Sequence, residues 1–223
     1  MQQQGLVIAI DGPSGAGKGT VARRVASRLA YRHIDTGAMY RAVAWKAQDA
    51  GIALTDEAAV AALGDRAVFD LENGRVIIDG CDVALAIRTP AIDAAAALVA
   101  RHPAVLRALV TRQRAYGTGG GIVMEGRDIG TVVFPDADVK IYLDASPEER
   151  ARRRAADPAH TSPHGTKLTD VAIALAERDR SDSTRTASPL AVAPDAVRLD
   201  TTGLPIDLVV ERVLAVIDER RKR

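Results

Sequence analysis

The sequence predicts an α/β fold in which a parallel sheet is covered by helices on both faces. Three observations carry that expectation. Short apolar runs alternate with amphipathic stretches along most of the chain, the first run passes directly through a glycine-rich loop into a helical pattern, and 223 residues with 47% hydrophobic content suffice to bury a full core.

The elements follow in order. Residues 6–10, Leu-Val-Ile-Ala-Ile, read as a buried strand, and residues 18–29 as the amphipathic helix after the loop. A short strand near 33–34 leads into a helix over 36–50. Helices over 56–64 and 90–101 then flank two short strands, 68–71 and 76–78, which are joined at Asn73-Gly74 and followed by an Asp79-Gly80 turn. That is a hairpin signal inside an inserted subdomain. A helix over 103–116 precedes a strand over 122–124; a strand over 139–143 precedes a helix over 147–156. Residues 157–167 replace periodic apolar positions with Pro, His, Ser, Thr and Gly, and read as a mobile flap. A helix over 168–182, a strand over 196–199 and a helix over 205–221 complete the chain. Several helices open on Ser, Thr or Asp with proline in the first turn.

Composition excludes several classes of function. A formal net charge of +1 creates no global field toward nucleic acid or membrane, so anion binding must come from local arginine clusters. Neither nucleic acid nor membrane is expected as a partner. Cys81 is the only cysteine, which rules out an intramolecular disulfide framework; it is expected to be a buried thiol in a reducing compartment. The start, Met1-Gln2-Gln3-Gln4, lacks the pattern of a signal peptide, and no apolar run approaches the ~20 residues that span a bilayer. A cytoplasmic location is therefore expected. His33, His102, His160 and His164 lie in separate segments without metal-ligand spacing and read as surface or structural. The basic end, Arg220-Arg221-Lys222-Arg223, reads as a solvated helix terminus.

The chemistry concentrates at a few motifs. Gly12-Pro13-Ser14-Gly15-Ala16-Gly17-Lys18-Gly19-Thr20 joins strand to helix, the context of a phosphate-binding loop. Its glycines let backbone N–H groups face phosphate oxygens, the helix end adds unpaired amides and a positive dipole, and Lys18 adds a point charge. Gly19 stands where Ser or Thr commonly follows the lysine, which leaves Thr20 as the candidate hydroxyl for Mg²⁺. Asp35-Thr36-Gly37-Ala38-Met39-Tyr40-Arg41 and Glu125-Gly126-Arg127-Asp128-Ile129-Gly130-Thr131 both follow strands, so their polar groups belong at the carboxyl edge of the sheet, where open α/β sheets bind ligands. Arg127 is expected on phosphate and Asp128 on a donor group of a substrate; the alternative is a salt bridge of Arg127 with Asp128 or Glu125. Arg150, Arg152, Arg153 and Arg154 precede the flap, and Arg178, Asp179, Arg180, Asp182 and Arg185 follow it. Together they look like a lid that closes on a transferring phosphoryl group.

Taken together, these motifs, the hairpin insert, E-G-R-D-I-G-T-V-V-F-P and R-D-R-S-D-S-T-R resemble the bacterial cytidylate kinases from residue 6 to about 217. The resemblance implies a P-loop core with a five-stranded parallel sheet, an inserted NMP-binding subdomain with a small β-hairpin, and a short lid. The expected division is residues 1–38, 103–150 and 183–223 for the core, 39–102 for the NMP-binding domain and 151–182 for the lid. It implies transfer of the γ-phosphoryl of ATP to CMP or dCMP with Mg²⁺, small-molecule partners and a monomer. Lys18, Arg127, Arg154 and Arg178 are the expected catalytic residues, and residues 12–20 hold ATP. Thr36, Arg41, Arg127, Asp128, Arg178, Asp182 and Arg185 are the expected substrate contacts: Arg41, Arg127 and Arg185 on the acceptor, Asp128 on the cytosine amino edge, Arg178 and Asp182 on the sugar. Ala97 and Leu106 stand where such relatives place a serine and an arginine against cytosine. Either Arg107 reaches in through a register change, or Asp128 and Arg185 recognise the base. Another acceptor, such as UMP, AMP or a small metabolite, and a nucleotide-dependent switch are the competing readings.

Overall fold

In the computed structural model, which describes residues 5–157 and 167–222, five parallel strands form the central sheet. They are β1 (Val7–Asp11), β2 (Arg32–Asp35), β6 (Ile122–Gly126), β7 (Val139–Asp144) and β8 (Val197–Asp200), in the order β2-β6-β1-β7-β8. Helices α1 (Lys18–Leu29), α2 (Thr36–Asp49), α3 (Glu57–Arg66), α4 (Pro90–Val99), α5 (Pro103–Tyr116), α6 (Pro147–Ala155), α7 (Leu168–Ser183) and α8 (Ile206–Arg221) surround the sheet. Register pairs Asp11 with Gly126 and Asp35 with Glu125. Three strand ends thus deliver their polar residues to one edge.

The period of two in β1 sorts its side chains between two cores. Ile8 and Ile10 join Val21 and Val25 of α1, Val123, Ile141, and Val213 and Ile217 of α8 on one face. Ala9 joins Ile34, Met39, Met124, Ile129 and Val133 on the other. A third cluster unites α2, α3, α4 and α5 through Val43, Val60, Leu63, Ala96, Val99, Val105 and Leu109. Each of the larger aliphatic side chains contributes roughly 1.5–3 kcal/mol when fully buried. The helix starts read from sequence are capped as expected: Asp35, Asp56, Thr89 and Ser146 each accept a backbone amide of the first turn of the helix that follows.

Three local expectations change. The hairpin is a three-stranded antiparallel sheet, β3 (Phe69–Asp70), β4 (Ile77–Ile78) and β5 (Cys81–Asp82), because Asp79 and Gly80, at φ 48° and 79°, make a tight turn that sends the chain back along β4. Cys81 is exposed rather than buried, since this outer strand has no layer over it. Residues after Asp128 form a π-helical turn, Ile129–Val133, which no periodicity announces in five residues. Of the flap read over 157–167, residues 158–166 lie outside the described residues, as do His160 and His164.

Candidate functional site

A cavity of about 730 Å³ opens at the carboxyl edge of the sheet, lined by residues 14–20, Thr36, Tyr40 and Arg41, Ala97, Glu125 to Asp128, and side chains of α6 and α7. That volume suits an extended polar ligand or two smaller ones side by side. Segments far apart in sequence meet there because parallel strands all end at the same edge.

The loop occupies one end. Gly12 leaves β1 at φ 149°, and a Cβ there would lie 2.0 Å from the Leu143 carbonyl oxygen, so only glycine can make this exit beside β7. Gly12 and Pro13 shape the turn without facing the cavity, whereas Ser14 to Thr20 line it. The α1 N-cap, Gly17, has no capping side chain, which leaves the first amides of the helix available to an anion. Lys18 is 6% exposed, donates to the Pro13 carbonyl at 2.8 Å, and is held down to about pKa 7 by burial and then by Arg127, against the pull of Glu125, Asp11 and Asp182. An ammonium so short of counter-charge is prepared for phosphate. Gly19 now has a steric reason: a Cβ would lie 3.0 Å from Glu125 Oε1. The glycine makes room for a carboxylate over the start of α1.

Arg41 and Arg127 are each paired with a carboxylate. Arg41 donates to Asp35 at 2.8 Å, and Arg127 donates through Nε to Asp182 at 2.8 Å. The Arg127 pairing with Asp128 or Glu125 weighed from sequence does not form; the partner comes from α7. Burial would raise the Asp182 carboxyl, but Arg127 and Arg178 hold it below the ordinary carboxylate range. Arg154 and Arg178 both reach Asp93 of α4, the latter at 3.5 Å. Thr36 lines the cavity and spends its hydroxyl proton on the Glu125 carbonyl at 2.8 Å.

Asp128 is 6% exposed, and its Oδ2 has no hydrogen-bond partner among the described residues; neither has Arg185 Nη2. Burial raises the Asp128 carboxyl, opposed by Arg185, Ser188 and Arg127. Tyr40 is pushed well above the ordinary phenol range by burial and by Asp128. Ala97 lines the cavity, Leu106 is buried in the core, and Arg107 is exposed on the outer side of α5. No register change brings Arg107 in: it does not line the cavity, whereas Asp128 and Arg185 do.

The arginines of α6 and α7 differ in their partners. Arg150 is buried, pairs with Asp179 and donates to the Ser14 carbonyl at 3.2 Å, bracing the loop. Arg153 bonds Thr201 and Glu149, and Arg152 lies exposed on Glu149. Only Arg154 and Arg178 of the two helices combine cavity exposure with a link to α4. Sequence reasoning missed Asp93, because a single carboxylate on a helix carries no pattern; Glu125 was placed at the sheet edge with its motif, without a role of its own. It also read His33 as surface or structural; His33 lies 3.2 Å from Glu125, with its side chain 10% exposed.

The sequence profile of the cytidylate kinase family matches residues 8–219. Among curated proteins, the cytidylate kinase of Geobacillus kaustophilus is 49% identical over 220 residues, covering 96% of this chain and 97% of the relative. That of Pelotomaculum thermopropionicum is likewise 49% identical, with the same coverage. A solved structure of an uncharacterized protein from Eubacterium ventriosum aligns with a TM-score of 0.54 at 10% identity, covering 96% of this chain and 98% of that one.

Proposed function

The chain belongs to the cytidylate kinase family, and from that premise we infer that its cleft transfers the γ-phosphoryl of ATP to CMP or dCMP, yielding ADP and CDP or dCDP. One observation within the site supports the base assignment above all: the buried, unpartnered Oδ2 of Asp128. A buried acceptor without a donor is costly, and the 4-amino group of cytosine supplies one, whereas uracil would present a second acceptor.

We assign the roles as follows. Residues 14–20 and Lys18 hold the donor phosphates through backbone amides and charge. Arg41 and Arg127 exchange part of their bonding with Asp35 and Asp182 for the acceptor phosphate. Asp182 and Arg178 face the sugar, and Arg185 completes the acceptor pocket. Arg154 and Arg178 bring positive charge to the phosphoryl group in flight, so catalysis is positioning and charge neutralisation without a covalent enzyme intermediate. Closure of α6 and α7 over the cleft excludes water, which competes with the acceptor.

The oxygen donors over the start of α1 fit Mg²⁺, which favours carboxylate and hydroxyl oxygens and retains several waters. Among the described residues no three His, Cys, Asp or Glu form a cage for a metal ion. Glu125 and the Thr20 hydroxyl would hold it, and it would neutralise charge on the donor phosphates. No single helix among the described residues is long and apolar enough to cross a membrane. We propose a monomeric enzyme working in the cytoplasm.

Initial rates with CMP, dCMP, UMP and AMP test this reading. We expect CMP or dCMP to lead; a clear preference for AMP overturns it. Asp128→Ala should raise KM for CMP at least tenfold and leave KM for ATP nearly unchanged, and equal effects on both would remove Asp128 from the base site.

A further inference from the structure

Asp11 ends β1 one residue before the phosphate loop, yet its side chain serves another segment. Its Oδ1 accepts the backbone amide of Ile129 at 2.9 Å and its Oδ2 that of Gly130 at 2.7 Å. These two amides open the π-helical turn that follows Arg127-Asp128 directly. Packing leaves the turn little freedom. A Cβ on Gly126 would lie 2.7 Å from Ile129 Cδ1 and from Thr36 Oγ1, and one on Gly130 would lie 3.2 Å from Lys140 Cδ and 3.4 Å from Asp11 Oδ2.

We propose that Asp11 is a positioning residue for acceptor recognition: by gripping the two amides after Asp128, it fixes where Arg127 and Asp128 stand and ties them to the strand that carries the donor loop. A carboxylate accepting two backbone amides is the strongest hold that one side chain offers a turn. Holding it there is costly. Asp11 is 5% exposed, and burial outweighs the amides and Lys18 to push its carboxyl up to about 6, with Asp128 adding to the rise. A neutral acceptor would satisfy one amide at lower cost, but it would not lock both. The donor loop meanwhile has separate supports, from Lys18 on the Pro13 carbonyl and Arg150 on the Ser14 carbonyl. Loss of the Asp11 grip should therefore reach the acceptor and spare ATP.

Asp11→Asn keeps the shape and turns one acceptor oxygen into an NH₂ that faces an amide N–H. The expected result is a rise in KM for CMP of at least tenfold, with KM for ATP within twofold and kcat at saturating CMP within threefold. Gly130→Ala approaches from the other side, pressing a methyl group against Asp11 and Lys140. It should raise KM for CMP about three- to fivefold with the same sparing of ATP, and it decides the matter should Asp11→Asn fail to fold. An equal rise in both KM values, or no change in either, overturns the proposal, because a merely structural carboxylate would lower the melting temperature without separating the substrates. The inference rests on Arg127 and Asp128 being acceptor contacts, which the wild-type acceptor panel and Asp128→Ala test independently. A wild type that prefers CMP, with Asp11→Asn weakening both substrates alike, removes this inference and leaves that reading standing.

Discussion

Lys18 shows at the scale of one residue how function is set against stability. Burial holds its ammonium down to about 7 from an ordinary 10.5, so between those values the unfolded chain binds a proton that the native one does not. Stability contributed by this group therefore falls as pH drops from 10.5 toward 7, and the penalty persists below. Donor phosphates should reverse the shift. Lys18→Met is expected to lose at least about 10²–10³ in kcat/KM, in line with removal of a preorganised charge contact, while melting at or above the wild-type temperature at pH 7. Calorimetry of ATP binding at pH 8 in two buffers of different ionisation enthalpy should reveal proton uptake in the wild type and its loss in the variant. Absence of uptake in both would show that Lys18 is already charged. Residue-level readings from sequence were uneven for a physical reason. Lys18, Glu125, Arg127 and Asp128 sit inside long motifs, which placed them at the sheet edge where the cavity opens, whereas Asp11 and Asp93 act through partners 61 to 119 positions away, and spacing along the chain holds no trace of that.

Among the elements, the strand–loop–helix unit depends on glycine where β1 turns away from β7. Gly12→Ala combines a positive φ with a Cβ 2.0 Å from a backbone oxygen, so the loop must move to accept it. The expected outcome is a loss of ATP affinity of at least tenfold with the helices largely retained by circular dichroism; unchanged ATP binding would show that the loop tolerates a different exit. Helix and strand positions were legible because 3.6-residue and two-residue apolar periods, capping residues and prolines are local signals. The third strand of the small sheet and the π-helical turn were not. A two-residue strand has no period, and the turn is held by Asp11 and packed against Lys140, both distant in sequence. Exposure of Cys81 follows from the same cause: whether a short apolar stretch is covered depends on what packs over it.

For the molecule as a whole, the three apolar clusters join the sheet to α1 and α8, to α2 and the π-helical turn, and α2 to α3, α4 and α5, so these four helices share a core with each other. Ion pairs link segments around the cleft: Arg127 to Asp182, and Arg154 and Arg178 to Asp93. Such pairs exchange partners with phosphate at modest cost, which suits a cleft that closes on two substrates. ADP production should therefore be slow with ATP alone and rise at least a hundredfold on addition of CMP; comparable rates without acceptor would mark a nucleotide hydrolase or switch, and sedimentation in the same buffer should show a monomer. By itself the sequence determined the α/β class, the loop that binds phosphate, the motifs of the family and nearly every element, because these follow from local periodicity and from residues whose chemistry is fixed by their immediate neighbours. Tertiary structure alone decided that Arg127 pairs with α7, that Arg107 is exposed on α5 and does not line the cavity, and that Asp11 takes the backbone amides of Ile129 and Gly130. Those outcomes depend on which strand ends lie side by side, and distance in space is not written in distance along the chain.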